Sequence, residues 1–307
     1  MARFLLLRLA QSVFTLFLVL FVVFVIARVA GDPVTLLVTF DASQADIDRL
    51  REELGLADPL PEQFVRFMSD ALRGDFGTSF RTNRPAMNEV LDRVPASARL
   101  AGLSLVLALA ISLPLGVLAA VTRGSVIDVF ARFLALVGQA APNFWLGLML
   151  IFFFAVRLGW FPTGGRGGLD HMVLPALALG TAGAASITRL TRSALLDVLN
   201  SDFVTMARAK GLPRRTVIFK HALRNAMIPV VTILGLRIGT LISGSVIVET
   251  IFAWPGVGRL IIQAINVSDF PVVQAAVTLT ASAVILANLL TDFAYMLVDP
   301  RIRYVRS

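Results

Sequence analysis

The feature that most constrains this chain is an uncharged run of 19 residues, Leu9–Ala27, enclosed by Arg8 and Arg28. As a helix, this run measures about 28 Å, close to the roughly 30 Å hydrocarbon core of a bilayer. A cleaved signal peptide would have a shorter apolar region, of about 7–15 residues, followed by a small-x-small cleavage site. The run therefore predicts a retained transmembrane helix.

Five further apolar segments are also candidates for transmembrane helices. Hydrophobic residues make up 57% of the sequence and charged residues only 16%, whereas an ordinary soluble domain is about 25% charged. One segment is too long for a straight crossing, and Pro142 predicts a kink in it because proline removes a helix hydrogen bond. We therefore predict an all-α polytopic membrane protein with six transmembrane helices. After the first, the segments are Ala98–Val121, Val126–Leu158, Met172–Ile187, Ala226–Val248 and Val272–Val298.

The distribution of charge predicts how these helices are oriented. With six helices both termini share one side, and the segments on that side hold 15 of the 28 Lys and Arg residues but only five of the 20 acids. Lys and Arg concentrate in cytoplasmic loops, so we expect both termini to be cytoplasmic. The net charge of +8 is then a topology signal. The sequence has no basic stripe interleaved with aromatic residues, which is the pattern that would indicate nucleic-acid binding.

The one long polar stretch, Gly31–Arg93, holds 12 of the 20 acids and is predicted to lie outside. Ser43 and Asp46 have the spacing of a helix N-cap, and Pro61 and Pro85 fit the first turns of two further helices. We predict a small helical extracytoplasmic subdomain between helices 1 and 2, either a lid on the membrane part or a docking surface for a soluble partner. The predicted divisions are residues 1–30 for the N-terminus and first helix, 31–94 for this subdomain, and 95–307 for a five-helix membrane core.

Few residues of the chain are suited to catalysis or metal binding. Cysteine is absent, which leaves no disulfide, thiolate nucleophile or cysteine metal site. His171 and His221 are fifty residues apart, and neither Lys210 nor Lys220 lies in the Gly-rich sequence of a phosphate-binding loop. We therefore expect a non-enzymatic chain without catalytic, metal-binding or cofactor-binding residues.

The inner loop, predicted to run from Arg189 to Arg224, is the most informative cytoplasmic segment, especially over residues 200–224. A helix is predicted to begin near Ser201 or Asp202 and to end at Gly211, and Pro213 is suited to open a second helix. Eight basic groups lie between Arg189 and Arg224. The loop is either an amphipathic hairpin held by anionic lipid or a docking element for a partner protein. The first predicted helix places four residues on one face at i, i+3, i+4 and i+7: Phe203, Met206, Ala207 and Lys210.

Two motifs in this loop resemble the EAA loop of ABC importer permeases of the dipeptide, oligopeptide and glutathione class. They are Ala-Arg-Ala-Lys-Gly-Leu at 207–212 and Lys-His-Ala-Leu-Arg-Asn-Ala-Met-Ile-Pro at 220–229. The general pattern has Glu-Ala-Ala where this chain has Thr-Met-Ala at 205–207, and the departures are similar to those of the peptide subclass. Further matching pieces are Gly-Asp-Pro at 31–33, Gly-Asp-Phe-Gly at 74–77, Glu-Thr-Ile-Phe-Ala-Trp-Pro-Gly-Val-Gly-Arg at 249–259 and Asp-Pro-Arg-Ile-Arg at 299–303.

The resemblance, which covers nearly the whole chain and is strongest to the first permease subunit of such importers, implies a set of partners. It implies a homologous second permease, two cytoplasmic ATPases that hold ATP and Mg²⁺, and an extracytoplasmic substrate-binding protein. The location it implies is the bacterial inner membrane. It also implies that the 200–224 loop couples the helices to an ATPase. From the helix pattern and the resemblance together, we predict seven coupling residues: Phe203, Met206, Ala207, Arg208, Lys210, Gly211 and His221.

Two charged residues are candidates for the translocation path. Arg237 lies about 16 Å into the fifth predicted span, where an arginine is costly in lipid. It either faces a hydrated pathway and offers charge to an anionic substrate group, or pairs with a neighbouring helix or the sister subunit. Glu249 follows the same span, where it either faces the substrate or the binding protein or serves helix packing and interfacial anchoring. The alternative function, a self-contained secondary transporter or channel, usually shows intramembrane acids or ion sites at broken helices, and the middles of these spans hold no Asp or Glu.

Overall fold

A computed structural model describes residues 2–29, 43–53 and 55–298 of the chain. In these residues the secondary structure is helical apart from turns and one isolated bridge between Thr78 and Pro85. The chain divides into two compact units. The first takes its residues from 1–97 and 255–289, and the second takes its residues from 98–254 and from 290 onward.

The first unit begins with one long helix and three short ones. Their bounds are α1 Ala2–Val29, α2 Gln44–Glu53, α3 Leu60–Leu72 and α4 Ala86–Leu91. The predicted start of α2 is confirmed, because the Ser43 hydroxyl donates to the Asp46 carboxylate at 2.6 Å and accepts from the Asp46 N–H at 3.3 Å. The hydrogen bonds from Ser43 lower the pKa of the Asp46 carboxyl. Pro61 lies in the first turn of α3 and Pro85 caps α4, also as predicted.

Two further helices complete the first unit: α11, Val257–Asn266, and the larger part of α12, Phe270–Val298. The core of the unit joins them to the short helices. Val90 and Ala86 of α4 are fully buried and share this core with Ala275 of α12. The Ser79 hydroxyl also donates to the carboxylate of Asp269, which lies just before α12. These contacts hold the polar segment between α1 and α5 as a folded helical body.

The second unit consists mainly of long apolar helices. Their bounds are α5 Val94–Val121, α6 Val126–Ala140, α7 Asn143–Leu150, α8 Asp170–Leu199, α9 Asp202–Ala209 and α10 Leu223–Ile251. A π-helical segment, Ile151–Arg157, extends α7, and another, Thr216–Ala222, leads into α10.

Small residues let α5 and α8 approach closely. A Cβ added to Gly116 of α5 would lie 2.7 Å from the Thr191 Cβ and 2.9 Å from the Thr188 carbonyl oxygen. A Cβ added to Gly180 of α8 would lie 2.8 Å from the Ser104 carbonyl oxygen. Close backbone approach through small residues is how membrane helices gain packing without a hydrophobic driving force.

Four helices of the described part are long and apolar enough to cross a membrane. They cover 6–29, 86–121, 170–199 and 270–293, and one bent pair, 126–140 with 143–157, also qualifies if it forms a single span. The fifth predicted span, 226–248, lies inside α10, several of whose side chains fall outside the described part. The number six and the orientation of the termini therefore stay predictions, as do the predicted domain boundaries.

The structure confirms the bend predicted in one span and corrects the length of another. The kink predicted in Val126–Leu158 is a break between two helices that meet at 110°. Ala141 is extended at this break, with φ −74° and ψ 128°, because a residue before proline is disfavoured in the helical region. The short span Met172–Ile187 is part of a helix that continues to Leu199, so Arg189 and Arg192 belong to this helix and not to the inner loop.

Candidate functional site

The predicted coupling loop forms a helical hairpin, defined here as residues 201–222. Its first arm is α9, which begins after an extended Ser201. The Gly211 N–H donates to the Arg208 carbonyl at 2.9 Å and the Leu212 N–H donates to the Ala207 carbonyl at 3.3 Å. Gly211 has φ +77°, the left-handed conformation that glycine adopts at little cost at a helix end. The predicted start and end of this helix are therefore confirmed.

The inner face of the hairpin packs on the ends of two long helices. Val204 of the first arm and Val217 and Ala222 of the second arm are 1% exposed or less. They share one apolar cluster with Ala120 of α5 and Leu195 of α8. This packing fixes both arms to the helices beside them.

The outer face of the hairpin carries large apolar side chains that are exposed. Phe203 is 45% exposed and Met206 61%, and their i, i+3 spacing places them on one face of α9. Leu212 and Phe219 are 37% and 60% exposed. An exposed apolar patch on a folded protein usually marks a surface that contacts a partner or a membrane.

The sequence-predicted coupling residues occupy different positions on this hairpin. Met206, Arg208, Lys210 and Gly211 are exposed, whereas Ala207 and His221 are half-buried. Ala207 packs against the inner apolar cluster, so it supports the hairpin from within.

Sequence reasoning missed Val204 as the anchor, although its spacing from Ala207 at i, i+3 is that of one helix face. It also missed Leu212 and Phe219 as outward residues.

Asp128, Arg132 and Arg192 form an ion-pair cluster, called the clamp here, that holds α8, the helix that leads into the hairpin. Arg192 donates from Nε and Nη2 to the two carboxylate oxygens of Asp128 at 2.6 and 2.9 Å. The Asp128 side chain is 1% exposed, accepts from the Gly124 N–H at 3.0 Å and lies 3.3 Å from the Arg132 Nε. The clamp therefore joins α8 to the start of α6. Because Asp128 and Arg192 are 64 residues apart, no local sequence pattern indicated this pair.

The two candidate pathway residues are on α10. Glu249 is fully buried and has a bonding partner within the protein. The side chain of Arg237 falls outside the described part of the chain. The pathway role of both residues therefore stays a prediction.

The sequence and fold were compared with known proteins. Residues 112–304 match the family model of the binding-protein-dependent transport system inner membrane component, and residues 1–101 match the model of its N-terminal region. The chain is 44% identical over 316 residues to the oligopeptide transport system permease protein AppB of Bacillus subtilis (strain 168), with 99% of this chain and all of that protein covered. It is 42% identical to the glutathione transport system permease protein GsiC of Escherichia coli (strain K12), with 97% of each chain covered.

The fold is also similar to a solved structure. An inward-facing structure of the MetNI methionine ABC transporter matches with a TM-score of 0.55 at 22% identity, covering 69% of this chain and 97% of the matched chain. At that identity the match concerns the fold alone. The sequence matches, in contrast, extend over almost the full length of both chains. The chain therefore belongs to the family of binding-protein-dependent transport system inner membrane components, the permeases of ABC importers.

Proposed function

We propose that this chain is one of two homologous permease subunits of an ATP-driven peptide importer. The names of its relatives support a peptide-like substrate, such as an oligopeptide or glutathione. In this proposal the chain crosses the membrane six times with both termini in the cytoplasm. It works with a second permease, two ATPases and an extracytoplasmic binding protein, and the ATPases hold ATP and Mg²⁺.

The observation that carries the coupling proposal is the two-sided character of the hairpin. Its inner face is anchored by Val204, Val217 and Ala222, and its outer face exposes Phe203 and Met206. A rigid element with an exposed apolar face is suited to sit in a groove of an ATPase and to move with it. Arg208 lies about 160° round α9 from Met206, so the apolar and basic contributions to docking can be separated by mutation.

The coupling proposal is tested by two exposed substitutions on α9. Met206→Glu should abolish co-purification of the ATPase and substrate-stimulated ATP hydrolysis, because it places a charge in an apolar contact. Arg208→Gln is the matched control and should have a small effect, since an exposed ion pair contributes about 0–1 kcal/mol. If Met206→Glu retains the ATPase while Arg208→Gln releases the hairpin from anionic vesicles, the hairpin is a lipid anchor and the docking proposal fails.

The substrate class is tested with the assembled transporter. Uptake of dipeptides, longer peptides and glutathione should be compared in proteoliposomes that contain both permeases and both ATPases, with the binding protein supplied outside. Transport of at least one of these substrates is expected. ATP-dependent uptake restricted to a solute without a peptide bond would contradict the peptide assignment.

The proposed pathway role of Arg237 and Glu249 requires a separate test. If Arg237 offers positive charge to an anionic group of the substrate, Arg237→Gln should reduce uptake of substrates with a free carboxylate more than uptake of amidated analogues. Equal uptake of both types would remove Arg237 from the pathway. Glu249→Gln should be measured in parallel, because Glu249 is buried and its loss reports on packing as well as on transport.

A further inference from the structure

The helix α3 packs against the apolar segment of α1. The ring of Phe64 on α3 lies 5.9 Å from the ring of Phe17, 5.6 Å from that of Phe21 and 5.2 Å from that of Phe24, measured between centroids. Phe67 adds a further ring contact to Phe24 at 5.6 Å. All three α1 partners lie within the candidate span 6–29.

In the predicted topology, with the span 6–29 centred on the bilayer and its C-terminal end outside, these contacts give α3 a depth in the membrane. The centre of the span 6–29 falls between residues 17 and 18. Phe21 is therefore about 5 Å from the midplane, at about 1.5 Å per residue. The hydrocarbon core extends about 15 Å to either side of the midplane. Phe64, in contact with Phe21, therefore lies about 10 Å below the outer boundary of the hydrocarbon, in a segment whose overall charge predicts an aqueous location.

The orientation of α3 about its own axis follows from its polar contact with α1. Gln63 and Val65 lie about 100° to either side of Phe64, in opposite directions. The Gln63 Oε1 accepts a hydrogen bond of 2.8 Å from the Arg28 Nε, near the outer end of α1. The Gln63 side of α3 therefore faces outward, and the Val65 side faces the interior of the bilayer.

Two exposed apolar side chains of α3 lie on its inward side, and its charged side chains lie elsewhere around the helix. Val65 and Leu72 share the inward side and are 67% and 80% exposed. The charged residues occupy the remaining arc: Glu62, Arg66, Asp70 and Arg73. This is the arrangement of an amphipathic helix that lies in the plane of a membrane interface.

We propose that α3 is an interfacial helix whose inward side, defined by Val65 and Leu72, is covered by lipid acyl chains of the outer leaflet. Phe17 and Phe21 of α1, whose rings contact Phe64, are themselves 46% and 44% exposed within the span. The segment between α1 and α5 is then anchored in the membrane through α3. Its α3 side is not available to a soluble partner.

The experiment uses spin labels on single cysteines introduced into this chain, which has no cysteine of its own, in a transporter assembled with cysteine-free variants of its partners. Val65→Cys is paired with Arg66→Cys, and Leu72→Cys with Arg73→Cys. Arg66 forms an exposed salt bridge with Asp58, and such pairs contribute about 0–1 kcal/mol. Phe14→Cys on α1, at a position 65% exposed within the span, is the lipid reference.

After reconstitution in bilayers, collision of each label with oxygen and with a water-soluble nickel chelate is measured. Oxygen concentrates in hydrocarbon and the chelate stays in water. The proposal expects the ratio of oxygen to nickel collisions at Val65 and Leu72 to match that at Phe14 and to exceed that at Arg66 and Arg73 severalfold. Ratios at Val65 and Leu72 equal to those of their arginine neighbours would overturn it. So would immobilised labels that neither reagent reaches, because protein would then cover this side of α3.

Discussion

At the scale of single residues, the contact between Asp128 and Arg192 joins two helices of the second unit. It is bidentate, and the carboxylate is almost inaccessible to solvent. Such a geometry makes each partner dependent on the other, because a buried charge without its counter-ion retains its desolvation cost. Replacing either residue should therefore lower the stability of the protein nearly as much as replacing both.

We expect Asp128→Asn and Arg192→Gln each to lower the stability of the purified subunit by about 1.5–3 kcal/mol, the range for hydrogen bonds to charged groups. The double variant should lose much less than the sum of the two single losses, because both substitutions remove the same interaction. Thermal unfolding in detergent measures all three variants. Strictly additive losses would show that the two residues stabilise the protein independently.

Two glycines of α5 give a second test at the residue scale. Gly116→Ala should lower the thermal stability of the subunit, because the new Cβ would be 2.7 Å from the Thr191 Cβ and overpacking costs about 1–3 kcal/mol. Gly102→Ala is the matched control, since no other described atom lies within 4 Å of its added Cβ. It should raise stability slightly, because alanine is favoured over glycine in a helix by about 0.5–1 kcal/mol. Equal shifts of the unfolding temperature would disprove the close α5–α8 contact.

At the scale of elements, the hairpin 201–222 depends on its turn. Among the described atoms, nothing lies within 4 Å of a Cβ added to Gly211, so its requirement is one of backbone conformation. Gly211 has φ +77°. This left-handed conformation destabilises a residue that has a side chain by about 1–2 kcal/mol, and it destabilises asparagine less than most other residues.

We therefore expect Gly211→Ala to reduce the amount of ATPase that co-purifies with the permease, and Gly211→Asn to retain most of it. Quantitative co-purification of the assembled transporter gives both values. Identical losses for alanine and asparagine would indicate that the ATPase surface excludes any side chain at this position, and the backbone explanation would then be wrong.

At the scale of the whole molecule, the predicted topology is open to direct labelling. Thr82 and Arg123 are both exposed and lie in the polar turns before α4 and before α6. Thr82→Cys should react with an impermeant thiol reagent added outside intact cells, and Arg123→Cys should react only after the membrane is opened. The expectation rests on the excess of Lys and Arg in the predicted cytoplasmic segments. The reverse pattern would invert the orientation of the chain.

Much of the organisation of this protein was determined by the sequence alone. Apolar runs such as Leu9–Ala27, caps such as Ser43 with Asp46, and turn residues such as Gly211 act over one or two helical turns. They are therefore readable from spacing, and the resemblance at 207–229 identified the importer permease family.

The tertiary structure alone decided how these elements meet. It showed that Asp128 pairs with Arg192, that Val204 faces inward while Met206 faces outward, and that Phe64 brings α3 against α1. It also showed that the chain turns by 110° after Ala140 where Pro142 predicted a kink. In each case the outcome depends on contacts between distant segments or on the angle at which two helices pack. Helical periodicity specifies which residues share a face, but a neighbouring helix determines which face is buried.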